Sequence, residues 1–544
     1  MSEVRYGKMT GLHATIAFRS RVRIAGNEIV KRKRTPLWLF LFVCVCTIAG
    51  FCSATDIYIT PTGTAQGVCT TSPQPPSWFN TASNWGSGSA QIGPGTTVHL
   101  CGTISTPLTA QGSGSNGSPI TIFFESGASI TAACGGSGCL NAAGLSYIVV
   151  DGGTACGWSS MMQGACNGTI KSSTATPSGS TFGIVATTCS NCEFRNLNIG
   201  PFFQAVAYGA YPTGDVRGIE GGGGSGTWLV HNNIITYASS AIVYIPSTSN
   251  DTALQVYNNV TANINSSVDI SNNNNGTMNA ALIHDNHFGS TAVWDQTGCS
   301  DHHNSLHAFA YTTTNNNIQY YNNLIDGNWG TCSTGGLFIE GNGSVNNNVT
   351  VFNNLWNIAS YTQMNNGIVY ISAGGSVRFY NNTILGLMQS GDVCLGVLGL
   401  TGASIYMENN IISGCNTLLS NGTGSNISLF TDVDYNVYGW NTSSPWTDQN
   451  IPAWYSTISS WRAHCSCDIH STFGAASNYV GLNSSGVPSS SSPAVGAGAT
   501  LTGLAALNYD ITGTAPERAA PWNCGAYTLR SAPPNPSNLT ATVP

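Results

Sequence analysis

A short motif recurs through the middle of the chain and sets what the chain can fold into. Seven segments carry it: Val230-His-Asn-Asn-Ile-Ile235, Val256-Tyr-Asn-Asn-Val-Thr261, Ile283-His-Asp-Asn-His-Phe288, Gln319-Tyr-Tyr-Asn-Asn-Leu-Ile325, Thr350-Val-Phe-Asn-Asn-Leu-Trp356, Arg378-Phe-Tyr-Asn-Asn-Thr-Ile384 and Tyr406-Met-Glu-Asn-Asn-Ile-Ile412. Each places apolar or aromatic residues before two polar turn residues, nearly always Asn-Asn, and apolar residues after them. The second polar residue falls at 233, 259, 286, 323, 354, 382 and 410, in steps of 26, 27, 37, 31, 28 and 28. Weaker copies extend the register upstream to Asn196 and downstream to Tyr435-Asn436.

A period near 28 residues with a strand–turn–strand core predicts a coiled β-solenoid, each coil holding about three short strands and their corners. Successive coils stack in parallel at roughly the 4.8 Å spacing of any sheet, so equivalent residues lie above one another. A charge at a repeated position would meet a like charge on the next coil. Asparagine instead ladders its amide from coil to coil and tolerates the left-handed backbone of a sharp corner. Only 7% of the residues are charged, which fits that constraint. An unstructured low-complexity tract would lack the regular aliphatic and aromatic partners. A leucine-rich repeat would repeat Leu, and a propeller would need periods of about 40 or more.

The charge is unevenly divided. Residues 1–54 hold nine basic and two acidic residues; residues 55–544 hold seven basic and 21 acidic ones, a balance of −14. The acidic part is not expected to bind nucleic acid or anionic lipid. Lys31-Arg32-Lys33-Arg34 precedes an apolar run over residues 37–51, and Cys52-Ser53-Ala54 follows it. This is the pattern of a signal peptide, or of an uncleaved anchor, which places the rest of the chain outside the cytoplasm, secreted or at the cell surface. Any contact with a membrane is expected through that segment alone.

Fifteen of the 18 cysteines lie beyond residue 55, several in close pairs: Cys134/Cys139, Cys156/Cys166, Cys189/Cys192 and Cys465/Cys467. Disulfides in an oxidising compartment are the expected state, and the odd count leaves one thiol unpaired. Cys299 is placed to pin its loop to Cys332. A zinc site at Cys189-Ser190-Asn191-Cys192 would need a second pair of ligands that the sequence does not supply.

The Asn-Asn-x-Ile register resembles the right-handed parallel β-helix of the pectate-lyase-like superfamily. So do Ile57-Tyr-Ile-Thr-Pro-Thr-Gly63, Gly93-Pro-Gly-Thr-Thr-Val-His-Leu-Cys-Gly102 and Gly117-Ser-Pro-Ile-Thr-Ile122, which in that family form the cap and first coils. Ser492-Pro-Ala-Val-Gly-Ala-Gly498, Asp510-Ile-Thr-Gly513, Arg518 and Cys524-Gly-Ala-Tyr527 are similar to a terminal segment of bacterial β-helix proteins, where an Asp is usual at the position of Gly496. The resemblance spans roughly residues 56–528 and implies an all-β fold: a right-handed parallel β-helix with an N-terminal cap. The expected division is a basic region at 1–35, the apolar segment at 36–54, a cap region at 55–100, the β-helix at 101–475 and a C-terminal segment at 476–530. Residues 531–544 look like a linker or the first strand of a fibronectin type III module.

Function in a solenoid sits on loops projecting from one face. The longest repeat step lies between Asn286 and Asn323, and from His284 just before it to His307 five of the ten histidines fall within 24 residues. It supplies Asp285, Asp295, Asp301, His303 and His307 as candidates for acid–base chemistry, with Trp294, Tyr311 and His302 as sugar-binding groups. The run His302-His303-Asn304-Ser305-Leu306-His307 resembles a His-His-Asp-Gly-Ile-His pattern of some β-helix proteins, with Asn304 in place of the Asp. In family terms a β-helix lyase needs a Ca²⁺-binding acidic cluster and a Lys or Arg at the abstracted proton. The basic candidates are Arg217, Arg378, Lys171 and Arg195; Arg217 lies in Asp215-Val-Arg217-Gly-Ile-Glu220, where Glu220 is a substrate-binding candidate. Serine-nucleophile, phosphate-loop, dinucleotide and His-Glu-x-x-His signatures are absent. The expected function is therefore an extracellular carbohydrate-active β-helix, a polysaccharide lyase or glycoside hydrolase. The alternative is a non-catalytic adhesin or glycan-binding solenoid. The expected partner is a polysaccharide or cell-surface glycan, and a bound Ca²⁺ is the cofactor the resemblance implies.

Overall fold

The computed structural model describes residues 56–529, apart from 158–165, 175–178, 204–213, 247–249, 252, 273–275, 296–302, 311–313, 333, 342–345, 363–366, 373–374, 399–403, 425, 441–443, 452 and 514–517. Asp301, His302, Tyr311, Cys299 and the segments at 1–55 and 530–544 lie outside the described residues. Among the described residues no helix is long and apolar enough to cross a membrane.

The chain is a parallel β-helix. Its first face is a 13-stranded sheet. Column after column in it holds apolar side chains that point inward, as in Val230, Val256, Ile283, Tyr320, Val351, Phe379, Met407 and Val433. A second sheet of 24 strands bends to form the other two faces, and the long strands Ile234–Tyr244 and Val260–Asn272 run through both. We number the faces in chain order from the asparagine corner: the first face precedes it, the second follows it, and the third closes the coil. All but one of the pairings in these two sheets are parallel; the exception joins Trp446–Asp448 to Ala453–Tyr455. At the N-terminal end, Phe79, Trp85 and Ile92 belong to the same core as the coils that follow.

The two positions of the Asn-Asn motif do different work. The first lies at the corner with φ between 51° and 61°, in Asn232, Asn258, Asp285, Asn322, Asn353, Asn381 and Asn409. Asparagine and aspartate enter this left-handed region at least cost among non-glycine residues. The second position forms a buried ladder. Asn233, Asn259, Asn286, Asn323, Asn354, Asn382, Asn410 and Asn436 are all fully buried. Each donates Nδ2 to the Oδ1 of the next at 3.0–3.1 Å. Asn196, the expected upstream copy, occupies the corner position instead, with φ 60°. The first rung is met by the backbone N–H of Leu197, which donates to Asn233 Oδ1. At the other end Asn436 donates to Asp468 Oδ1, a fully buried carboxylate that also accepts from Tyr438, Trp461 and Ser471.

The four short-range cysteine pairs are disulfides, as are Cys69–Cys101 and Cys394–Cys415. The Cys189–Cys192 bond disposes of the zinc alternative there. Cys332 is disulfide-bonded, and among the described residues the unpaired thiol is the buried Cys524.

The C-terminal segment runs back along the coils and covers the outer side of the second face. Ile511 and Ala526 cover Leu355, while Val480, Ala494 and Cys524 cover Ile411 and Val437. Corner asparagines tie it down: Asn353 donates to Tyr509 O, Asn381 to Asn523 O and Asn409 to Ala499 O. Arg518 is buried in this seam and donates to Asn353 Oδ1 and to four backbone carbonyls. Burial lowers its guanidinium to about 10 despite the charge of Asp510. The same segment places Leu507 and Trp522 on Phe352 of the first face.

Candidate functional site

The third face is formed in turn by Val216–Gly222, Ile234–Tyr244, Val260–Asn272, Asn304–Ala310, Leu337–Gly341, Val369–Ile371, Val393–Val397, Thr417–Asn421 and Trp446–Asp448. Side chains alternate across a strand. The inward column is Ile219, Ile242, Val268, Leu306, Leu337, Val369, Leu395, Leu419 and Trp446. Its outward neighbour is Glu220, Val243, Asp269, His307, Phe338, Tyr370, Gly396, Ser420 and Thr447. This column brings carboxylates, an imidazole and rings into one line on the outside of the coil.

His307 is its chemical centre. Its Nε2 lies 2.9 Å from Glu340 Oε1, and its Nδ1 lies 3.8 Å from Asp269 Oδ1. Asp269 is in turn held by the Ser266 hydroxyl. The Phe338 ring lies parallel to the imidazole at 5.2 Å, and the Phe309 ring lies at 5.9 Å. Tyr370 follows Phe338 at 5.1 Å. Burial, then the charge of Glu340, raises the Tyr370 hydroxyl. His307 and Glu340 keep 18% and 24% of their side-chain surface in water, so a ligand in solution reaches both. Towards the N-terminal end Arg217 pairs with Glu220 at 2.9 Å and Asp215 at 2.7 Å and lies over the Phe182 ring.

The structure thus gathers Arg217, Glu220 and His307 on one face, and places the other described candidates, Asp285, Asp295, His303 and Trp294, elsewhere. His303 is fully buried and bridges Asn265 and Asp295. Burial pushes the Asp295 carboxyl up, but the hydrogen bonds from His303, Thr331 and Cys332 outweigh it and hold the group below the usual range. The pair braces the loop between coils and offers no edge to a polymer. Trp294 is 1% exposed, packs on Phe203 and donates to Asn263 O, so it is a core residue and not the sugar platform expected of it. Asp285 is a corner residue beside the first face, paired with His284 and accepting from Asn322.

Asp269, Glu340, Phe309, Phe338 and Tyr370 were not legible as site residues. Loops of unequal length separate them, and only the strand register puts them beside His307. The first face carries groups that sequence reasoning also missed. Five rings stack there, from His231 through Tyr257, His284 and Tyr321 to Phe352, with interplanar angles of 4–7°. Farther along, burial and then the charges of Asp432 and Asp434 push Glu408 up to about 7.

Among the described residues, no acidic cluster fits the Ca²⁺ that the resemblance implied. Among the described residues, the one group of three whose ligand atoms lie within 4.8 Å of one another is Cys465, Cys467 and Asp468. Its sulfurs are joined in a disulfide, and no set of carboxylates on the third face comes as close.

No family model matches the chain, and no curated protein does. Among solved structures, the crystal structure of pectate lyase Pel9A aligns over 88% of this chain and 98% of its own, at 13% identity and a TM-score of 0.33. The architecture above rests on strand order and register.

Proposed function

We propose that the chain is a carbohydrate-active β-helix that lays a polysaccharide along the third face and cleaves a glycosidic bond there. It works outside the cytoplasm, carried there by the apolar segment at 37–51. The observation that supports this reading is the placement of His307 between Glu340 and Asp269, with Phe338 and Tyr370 continuing the line. Imidazole is the side chain suited to proton transfer near neutral pH. Here Glu340 orients the ring through Nε2, and the other nitrogen faces the Asp269 carboxylate. The two carboxylates stabilise positive charge, on the imidazolium or on an oxocarbenium-like sugar. The rings offer flat apolar surface to sugar faces.

The local charge favours hydrolysis over elimination. Asp215 and Glu220 pair with the Arg217 guanidinium, and Asp269 and Glu340 flank His307. An acidic polymer would be repelled there, and among the described residues of this face Arg217, the cation an elimination would draw on, is held in two ion pairs. The same engagement of Arg217 is the observation behind the second reading, a solenoid that binds glycan without cleaving it.

Incubation of the protein with neutral and acidic polysaccharides, with and without Ca²⁺, separates the readings. New reducing ends without unsaturated-uronate absorbance, lost in His307→Ala, support the proposal. That absorbance would replace hydrolysis by elimination. Retention on a glycan with no product would leave binding alone.

A further inference from the structure

The outward column of the third face does not end at Thr447. The strand Trp446–Asp448 pairs antiparallel with Ala453–Tyr455, and Thr447 lies opposite Trp454. Directly opposed residues in an antiparallel pair share a side of the sheet. Trp454 is therefore the next member of the line that begins at Glu220, and it is 73% exposed. The ring does little for the fold, because most of its surface is in water. A tryptophan held out in this way presents a large flat ring, apolar on its face and with a polar N–H at its edge, to a ligand on this face.

Its mounting is firm. The neighbouring Tyr455 stacks on His464 at 4.7 Å, and His464 Nε2 lies 2.8 Å from Asp448 Oδ2, so the hairpin is braced against the helix Ile458–Cys465. Between Tyr370 and Trp454 the column turns small and polar: Gly396, Ser420 and Thr447. With no side chain at Gly396, the surface sinks into a groove of about 190 Å³, whose walls include Tyr370, Leu398, Gly422 and Gln449. The groove is lined by amide, hydroxyl, backbone and apolar groups and by no charged side chain. From His307 to Trp454 the line makes six strand-to-strand steps, about 29 Å at roughly 4.8 Å each.

We propose that Trp454 is a distal sugar-stacking platform, and that the groove from Tyr370 to Trp454 holds an uncharged stretch of a long polysaccharide whose cleaved bond lies at His307. This inference rests on the reading of the third face as a glycan face and names its substrate class: a chain long enough to span the face, attacked internally, and neutral over the part that lies in the groove. A ring–sugar contact of this kind is worth roughly a factor of ten in affinity.

The test uses the full protein in native gels cast with arabinoxylan, galactan or polygalacturonate. It compares wild type, Trp454→Ala, Trp454→Phe, and each Trp454 variant combined with His307→Ala. Trp454→Ala should cut retardation by one neutral polymer about tenfold, Trp454→Phe should restore most of it, and turnover of short oligosaccharides should not change. The double variants read binding without cleavage. Retardation that depends on Trp454 in a protein that cleaves nothing sustains this inference while ending the catalytic reading at His307. Trp454→Ala retarded like wild type, or wild type retarded by none of the three gels, overturns it.

Discussion

Asn354 and Asn382 meet through a single acceptor: Asn382 Oδ1 takes both the backbone N–H and the side-chain Nδ2 of Asn354, each at 3.0 Å. Asn382 in turn donates to Asn410 Oδ1 and to Val351 O. Every rung thus satisfies the corner backbone of its neighbour in a fully buried space. Truncation of Asn382 to alanine strands two donors of Asn354 and the Val351 carbonyl. At about 1–3 kcal/mol for each buried group left unpaired, partly offset by relaxation, the loss should be roughly 4 kcal/mol. Chemical denaturation of N382A measures it. Asn382→Asp should be tolerated better at low pH, where the buried carboxyl is protonated, and worse as pH rises.

Glu408 makes stability depend on pH in the opposite sense to a salt-bridged carboxylate. Burial, then the charges of Asp432 and Asp434, raises it from 4.5 to about 7. The folded form therefore holds a proton that the unfolded chain has released. Its contribution is fully present below the unfolded value and is lost as pH rises through about 7. Denaturation midpoints from about pH 4 to pH 8 should fall more steeply for wild type than for Glu408→Gln. Parallel slopes would show that the group titrates normally.

The bridge between His303 and Asp295 joins the loop before the strand Asn304–Ala310 to Thr331 and Cys332 on the next coil. Asp295→Asn or His303→Ala leaves buried partners unpaired and should cost roughly 2–4 kcal/mol. Below the melting transition each variant should keep the wild-type activity on a glycan. Thermal denaturation and a reducing-end assay on the same samples check both halves.

The solenoid was legible in the sequence because every coil meets the same constraint. The inner corner must be polar, uncharged and able to bond to its own copy, and Asn286, Asn323 and their equivalents record that at each step. Asn196 shows the limit of this reading: it keeps the residue type but sits one place earlier, at the corner, and Leu197 takes the place of the ladder asparagine. The site was legible only in part. His303 and His307 belong to one cluster in the sequence, yet one faces the loop interior and the other the solvent. Trp294 looked like a sugar platform and is core, because its ring packs on Phe203 and its N–H donates to Asn263 O. Asp269 and Glu340 reach His307 across loops whose lengths set no pattern. The role of the C-terminal segment was hidden as well, since it depends on corner asparagines more than 100 residues away, such as Asn353 and Asn381.

The most direct test of the account is hydroxyl-radical footprinting of the protein with and without the polysaccharide that gives product or retardation. The account predicts protection of His307, Phe338, Tyr370 and Trp454, with Tyr257, His284 and Tyr321 of the first face unchanged. Protection confined to the first-face rings, or none on the third face while glycan is bound, would contradict it.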